Sequence, residues 1–65
     1  MDFVKVQGLG NDFIVIDGPF EPAPEVVVRW CERQTGIGAD GVLAIESIDA
    51  TRIRMRYWNA DGSEA

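Results

Sequence analysis

The sequence contains no histidine and only one cysteine, Cys31, among its 65 residues. A single cysteine excludes an internal disulfide, and the lack of histidine leaves no Cys/His cluster of the kind that holds structural zinc. A chain this short buries only roughly 60% of its unfolded surface. Small domains usually add a covalent or metal cross-link, so we expect this one to depend on further chain or on a partner.

Basic residues are also scarce, with 6 Lys and Arg against 11 Asp and Glu and a net charge of -5. This balance disfavours nucleic acid as a partner. No apolar run approaches the roughly 18 residues of a membrane span. The first residues lack the basic-then-apolar layout of a signal peptide. With an unpaired cysteine as well, these features favour a cytoplasmic protein without a membrane partner.

What the chain does contain is an ordinary globular share of apolar residues, 46%, separated by clusters of glycine and proline. The pattern predicts strands at residues 3–6, 13–17, 42–46 and 51–58 and a helix at residues 25–34. Turns are expected at residues 8–12, 18–24, 36–41 and 47–50. The β-β-α-β-β order predicts a mixed α/β unit with one helix on a sheet, without an internal domain boundary.

Within the predicted helix, the 3.6-residue period places Val27, Trp30, Cys31 and Gln34 on one buried face. Glu32 and Arg33 fall outside that face, where we expect them to meet water. Cys31 is then more readily explained as a buried structural residue than as a nucleophile. A reactive thiol needs an electropositive setting and a base, and no histidine is available.

The last predicted strand alternates in character. Period two predicts that Thr51, Ile53, Met55 and Tyr57 face the core and that Trp58 and the arginines face solvent. The arginines, Arg52, Arg54 and Arg56, could form an anion-binding patch. A solvated strand face with acidic neighbours is the favoured interpretation.

Two glycine-rich turns and the last seven residues are the candidate sites. Asn11 could present its amide to a ligand, or it could cap its own turn. The turn at residues 36–41 follows a helix and lacks the spacing of a dinucleotide-binding loop. At the end of the chain, Asn59 could cap or bind a ligand. Asp61 and Gly62 predict a turn, and Ser63 could cap a helix beginning at Glu64.

Three segments carry a resemblance in their order and spacing: residues 8–13 (Gly-Leu-Gly-Asn-Asp-Phe), residues 33–41, and residues 59–64 (Asn-Ala-Asp-Gly-Ser-Glu). Together they resemble the start of diaminopimelate epimerase. The resemblance covers the whole chain, which would be roughly the first quarter of such an enzyme. It implies a fold of two similar α/β domains, each a mixed sheet wrapped around a helix, with this chain as part of the N-terminal domain.

The resemblance also implies an activity. Such enzymes interconvert LL- and meso-diaminopimelate, in lysine and cell-wall precursor biosynthesis, without a cofactor or metal. One cysteine thiolate removes the α-proton, and a thiol on the other face returns one. The expected partners are the substrate and the remainder of the enzyme, and the resemblance is compatible with a homodimer.

Residue by residue, Asn11 and Asn59 match asparagines that contact substrate in the family. Some members carry a substrate-contacting glutamine where Gly41 stands here; glycine has no side chain to make that contact, so it is either lost or made by a water. The first catalytic cysteine of the family follows the Asn-Ala-Asp-Gly-Ser-Glu motif, beyond Ala65. Cys31 matches no catalytic position. We therefore expect no catalytic residue in these 65 residues, and no activity from them alone.

Two alternatives remain at this point. The chain could belong to another racemase or isomerase of the same fold, such as a phenazine-pathway isomerase. It could also be a non-catalytic interaction module. The sequence immediately after Ala65 would discriminate between the two enzymes, whereas an interaction module should unfold cooperatively as a lone 65-residue chain.

Overall fold

The computed structural model describes residues 3–8 and 10–65, which form one helix on a four-stranded mixed sheet. The sheet order follows the chain, β1-β2-β3-β4. The elements are β1 (Phe3–Gly8), β2 (Asn11–Asp17), α1 (Pro24–Cys31), β3 (Gly41–Asp49) and β4 (Arg52–Asn59). The predicted β-β-α-β-β order and the mixed α/β class are therefore confirmed. In the described part of the chain, no helix is long and apolar enough to cross a bilayer.

The two outer pairs of strands are antiparallel hairpins, and the central pair, β2 and β3, is parallel. Parallel neighbours need a crossover connection, which residues 18–40 supply with α1 in the middle. The register places Phe13 opposite Gly41, and Gly41 opposite Asn59. One end of the sheet thus brings together the start of β2, the start of β3 and the end of β4.

The strands are longer than predicted at several ends. The first hairpin keeps its ladder as far as the pair Gly8 and Asn11, so its turn is tighter than the five residues expected. Gly10 has a φ of 81°, a left-handed conformation that glycine adopts without strain. Leu9, the remaining residue of the predicted turn, lies outside the described residues. At the other end of the sheet, β3 continues to Asp49.

The helix ends at Cys31, three residues earlier than predicted. Glu32 has an extended backbone, with φ -60° and ψ 125°, which stops the helical hydrogen-bond series. The chain then folds back, and the Gly38 N–H donates to the carbonyl of Trp30 at 2.9 Å. This bond satisfies a helix-end carbonyl that would otherwise lack a partner. The placement of Gln34 on the buried face was wrong, because Gln34 lies in the turn and is exposed.

The hydrophobic core lies between α1 and one face of the sheet. Phe20, in the loop before α1, stacks on Trp30 with ring centroids 5.3 Å apart and meets Trp58 edge-on at 5.5 Å. These aromatic contacts close the core at the β4 side. The buried members are Ile14, Ile16, Val27, Cys31, Ala39, Val42, Ala44 and Trp58.

The predicted orientation of β4 was wrong. Trp58 is only 4% exposed and lies opposite Val42 on the helix-covered face, whereas Ile53 and Met55 are 60% and 59% exposed. Because side chains alternate, the face with Trp58 also carries the arginines. Arg56 lays its guanidinium over the Trp58 ring at 5.0 Å, so its stem covers the core while its charge reaches water.

The three arginines of β4 are each held by a carboxylate. Arg56 is bound from two sides, by Glu64 and by Glu21. The remaining pairs are Arg52 with Asp49 at 2.8 Å and Arg54 with Glu46 at 3.9 Å. This arrangement agrees with a solvated, paired strand face and not with a patch held ready for anions.

The second face of the sheet carries the odd-numbered residues of β2, β3 and β4 and the even-numbered residues of β1. We call it the open face, because no helix among residues 3–8 and 10–65 packs on it. Its apolar members are Val4, Val6, Phe13, Val15, Leu43, Ile45, Ile53, Met55 and Tyr57. Val4 and Val6 are exposed, as are Ile53 and Met55.

Truncation at Ile14 tests the assignment of the core. Ile14→Ala, at a fully buried position, should lower the free energy of unfolding by about 2–5 kcal/mol, because it leaves a cavity. The matched control is Ile14→Val, which removes a single methyl group and should cost only about 0.5–1.5 kcal/mol. Equilibrium urea unfolding of the protein that carries this chain measures both. A loss near zero for Ile14→Ala would contradict the placement of Ile14 in the core.

Candidate functional site

Asn11 and Asn59, the two substrate-binding residues predicted from the resemblance, lie at the same end and on the same face of the sheet. Asn11 begins β2 two residues before Phe13, and Asn59 ends β4. Phe13 and Asn59 both pair with Gly41. Strand alternation then places all four residues on the open face.

Strand spacing sets the distance between the two asparagines. Two steps between neighbouring strands and two residues along a strand place their Cα atoms about 12 Å apart. A ligand that lies between them on the open face could contact both side chains.

Asn11 is exposed and borders a shallow cavity. The cavity is lined by residues at the tip of the first hairpin, Gln7, Gly8, Gly10, Asn11 and Asp12. The side-chain amide of Asn11 makes no hydrogen bond with any residue that the structure describes. The alternative of local capping by its side chain is therefore not supported, and the amide is available to a ligand.

The residue after Asn11 is the most strongly bound carboxylate in the described chain. Arg33 holds Asp12 with both ends of its guanidinium, at 2.8 Å and 3.0 Å, and reaches Asp40 at 3.1 Å. The Asp12 N–H donates to an Asp40 carboxylate oxygen at 3.0 Å. Lys5 adds a second cation 3.3 Å from Asp12. We call this group, Asp12, Arg33, Asp40 and Lys5, the Arg33 cluster.

The Arg33 cluster fixes charge states as well as positions. Hydrogen bonds from Arg33 hold the pKa of Asp12 far below its ordinary value of 3.8, against the opposing effect of burial. The same pairing raises the pKa of Arg33. A forked, charge-assisted contact of this kind fixes orientation more strictly than a single hydrogen bond does. The Arg33 cluster therefore also fixes the backbone next to Asn11, the residue before Asp12.

Asn59 serves a tight turn that closes the described chain. Its side-chain N–H₂ donates to the Ser63 hydroxyl at 3.1 Å, and its backbone N–H donates to the Ser63 carbonyl at 2.8 Å. Gly62 occupies the left-handed region with φ 91°, and the Ser63 N–H donates to the Asp61 carboxylate at 2.9 Å. The predicted turn at Asp61 and Gly62 is thus confirmed. The amide oxygen of Asn59 receives no hydrogen bond from the described residues.

The predicted role of Ser63 was wrong. Glu64 does not begin a helix but forms a β-bridge with Trp58, and the Ala65 N–H donates to the Tyr57 carbonyl at 2.9 Å. Glu64 also binds Arg56 with both carboxylate oxygens, at 2.8 Å and 2.9 Å. These contacts hold the segment back along β4, so Ser63 joins strand and turn and caps nothing.

Cys31 is buried at the end of α1, as predicted. Burial raises the pKa of its thiol, and the negative charge of Asp40 acts in the same direction. The thiol is therefore held protonated, the opposite of what a nucleophile or base requires. Within the described residues, no cluster of three or more carboxylates and thiols could hold a metal ion.

Sequence reasoning missed two features of this region. The first is the Arg33 cluster, for which Asp12 gave a signal: it shares a strand face with Ile14 and Ile16, and a buried acid needs a cation. The second is the crowding above Gly41. A side chain added there would collide with Tyr57, so Tyr57 fills the space that a side chain at position 41 would occupy.

Fold and candidate site together define a small α/β sheet that presents asparagine side chains at one end. Comparison with known proteins gives the family. The family model described as diaminopimelate epimerase matches residues 3–65. The chain is similar to the diaminopimelate epimerase of Caldanaerobacter subterraneus subsp. tengcongensis, with 52% identity over 66 residues, 100% of this chain and 24% of the relative.

Two further relatives agree. The diaminopimelate epimerase of Microcystis aeruginosa is 51% identical over 67 residues, which is 95% of this chain and 24% of the relative. The diaminopimelate epimerase of Phenylobacterium zucineum is 43% identical over 65 residues, which is 95% of this chain and 24% of the relative. This chain belongs to the diaminopimelate epimerase family. It spans about a quarter of the length of the relatives it matches.

The Arg33 cluster predicts a pH-dependent contribution to stability. Because folding lowers the pKa of Asp12 below 3.8, the unfolded chain takes up a proton first as the pH falls. The stabilisation is complete above that value and declines below it. Arg33→Ala should therefore lower the melting temperature near neutral pH, and the difference from the parent should shrink below pH 3.8.

The matched control is Arg29→Ala. Arg29 lies on α1, is exposed, and forms no ion pair with any residue that the structure describes. Its removal should leave the melting temperature nearly unchanged at every pH. The variants are compared by thermal unfolding, followed by circular dichroism from about pH 2 to about pH 8, a range that covers the titration of an unfolded aspartate. An Arg33→Ala deficit of constant size across that range would contradict the assignment.

Proposed function

We propose that this chain is part of the N-terminal domain of a two-domain diaminopimelate epimerase. The reaction is the interconversion of LL- and meso-diaminopimelate, without a cofactor, in lysine and cell-wall precursor biosynthesis. Family membership supports the proposal. The observation that carries it is that Asn11 and Asn59 share one face and one end of the sheet.

The role proposed for this chain is binding and orientation. Proton exchange at the α-carbon uses two cysteines, one on each side of the substrate, and Cys31 is not one of them because it is buried in the core. Removing the α-proton develops negative charge, which needs a closed, dry cleft and oriented hydrogen-bond donors. Holding the substrate so that one α-carbon lies between the two sulfur atoms is itself a large part of the rate.

Asn11 and Asn59 are suited to this role by their unoccupied groups. Among residues 3–8 and 10–65, nothing bonds the Asn11 amide or the Asn59 amide oxygen, while the Asn59 N–H₂ serves the turn. Diaminopimelate carries an amino-acid group at each end of an extended chain. Each of these groups offers an ammonium donor and a carboxylate acceptor, which an asparagine amide can pair with as acceptor and as donor.

The remaining features of the proposal concern the setting. The partner of this chain is the remainder of the enzyme, which also supplies the catalytic cysteines. The enzyme is cytoplasmic, and a homodimer is compatible with it. Residues 3–65 by themselves are expected to catalyse no exchange.

The proposal is tested with the full-length protein that carries this chain. Purified protein is incubated with LL-diaminopimelate in D₂O, and deuterium at the α-carbon is followed by NMR together with formation of the meso isomer. Exchange and epimerisation without added cofactor are the expected results. Exchange of a different amino acid, with none of diaminopimelate, would identify another racemase of this fold. No exchange with any amino acid would favour an interaction module.

The binding role predicts a selective defect in Asn11→Ala. Loss of one hydrogen bond of about 0.5–1.5 kcal/mol should raise KM for diaminopimelate by about 2- to 12-fold. The melting temperature should not change, because no described residue is bonded to the Asn11 side chain. The matched control is Gln34→Ala, an exposed amide in the turn after α1 and away from this cavity. An unchanged KM in Asn11→Ala, or an equal rise in Gln34→Ala, would contradict the assignment.

A further inference from the structure

The hydroxyl of Tyr57 occupies the space above Gly41. A Cβ placed on Gly41 would lie 2.5 Å from Tyr57 Cζ, and still closer to the hydroxyl oxygen. Any side chain at position 41 would therefore displace Tyr57. Glycine at this position makes room for a tyrosine that reaches along the sheet from the neighbouring strand.

The same hydroxyl lies between the two asparagines. Tyr57 pairs with Leu43, and Gly41 pairs with both Phe13 and Asn59. Strand alternation places Tyr57 and Gly41 on the open face with Asn11 and Asn59. By reaching Gly41, the Tyr57 ring brings its hydroxyl to the middle strand at the end of the sheet where both asparagines lie.

The ring is fixed, and its polar group is unused. Phe13 packs edge-on against Tyr57 with ring centroids 5.8 Å apart and an interplanar angle of 71°. The hydroxyl makes no hydrogen bond with any residue that the structure describes. Since no buried side-chain oxygen of the described residues lacks a partner, the Tyr57 oxygen is open to solvent and accessible to a ligand.

The protonation state of the hydroxyl suits donation. Burial raises the pKa of Tyr57 above its ordinary value of 10.0, and the negative charge of Asp40 raises it further. The group therefore keeps its proton throughout the neutral range. A neutral phenol can donate to a carboxylate oxygen, and such a charge-assisted bond is stronger than a neutral one.

We propose that Tyr57 is a third substrate-binding residue, whose hydroxyl donates a hydrogen bond to a carboxylate oxygen of the bound amino acid. The Tyr57 hydroxyl fills the space that a side chain at position 41 would occupy. The inference rests on the proposed function and extends it, because it names a contact that the two asparagines do not provide. The carboxylate meant is the one at the end of diaminopimelate that is not exchanging its α-proton, so the bond strengthens binding of substrate and transition state alike.

Tyr57→Phe in the full-length protein is the test, because it removes the oxygen and keeps the ring against Phe13. KM for diaminopimelate should rise by about 10-fold, as expected for a hydrogen bond to a charged group, with kcat within about 2-fold of the parent. The melting temperature should stay that of the parent, because no described residue loses a bond. The control is Thr51→Val, which deletes a hydroxyl at the opposite end of the same hairpin, where it bonds only Asp49.

The outcomes separate the two proposals. An active parent whose KM is unchanged by Tyr57→Phe overturns the role of Tyr57 and leaves the proposed function intact. An equal KM rise in Thr51→Val also overturns it, because the effect would then not be specific to the site. A parent that exchanges no α-proton of diaminopimelate overturns the proposed function and this inference with it.

Discussion

The forked contact between Arg33 and Asp12 is the interaction on which the rest of this structure depends. It joins three segments that are distant in sequence: the start of β2, the turn after α1, and Asp40 just before β3. The backbone N–H of Asp40 also donates to the Asp12 carbonyl at 2.8 Å. Because β2 and β3 are parallel and separated by a crossover, no short turn sets their register. The Arg33 cluster helps to set it.

Nearly buried ion pairs are seldom large net stabilisers, since desolvation opposes the attraction between the charges. Their better attested use is to select one arrangement over its competitors. Asp12 is well placed for this purpose, because its side chain is 9% exposed and would lie unpaired in any other register. A shift of one residue between β2 and β3 would separate it from Arg33 and would also turn Asn11 to the wrong face.

Much of the fold could be predicted from the sequence, because the residues that begin and end its helix and strands act locally. Glycine and proline clusters gave the element order, and Pro24 and Glu25 gave the start of the helix. The end of the helix was not accessible. Gly36 suggested a stop, but the actual stop depends on the chain folding back to Trp30, a contact that local propensity does not contain.

The prediction of which face of β4 packs against the helix failed for a related reason. Alternation identifies two sets of side chains, but it does not say which set the helix will cover. Because three arginines share a face with Trp58, the sequence pattern indicated a solvent-exposed face. In the structure the arginine side chains reach carboxylates, as Arg56 reaches Glu21, while the Trp58 indole packs in the core against Phe20. For the candidate site, the turns suggested Asn11 and Asn59 as possible ligand contacts, the resemblance selected them, and only the register placed them on one face.

The turn at the end of β4 gives Asn59 two duties, and this has a consequence for genetics. Its amide nitrogen supports the reversal through Ser63, while the proposed substrate contact uses its oxygen. A substitution there would disturb the turn as well as the proposed contact, so a loss-of-function allele at Asn59 would not by itself reveal a ligand contact. Asn11 has no such structural duty among the described residues. Alleles of the two asparagines should therefore differ in phenotype even where their roles toward substrate are alike.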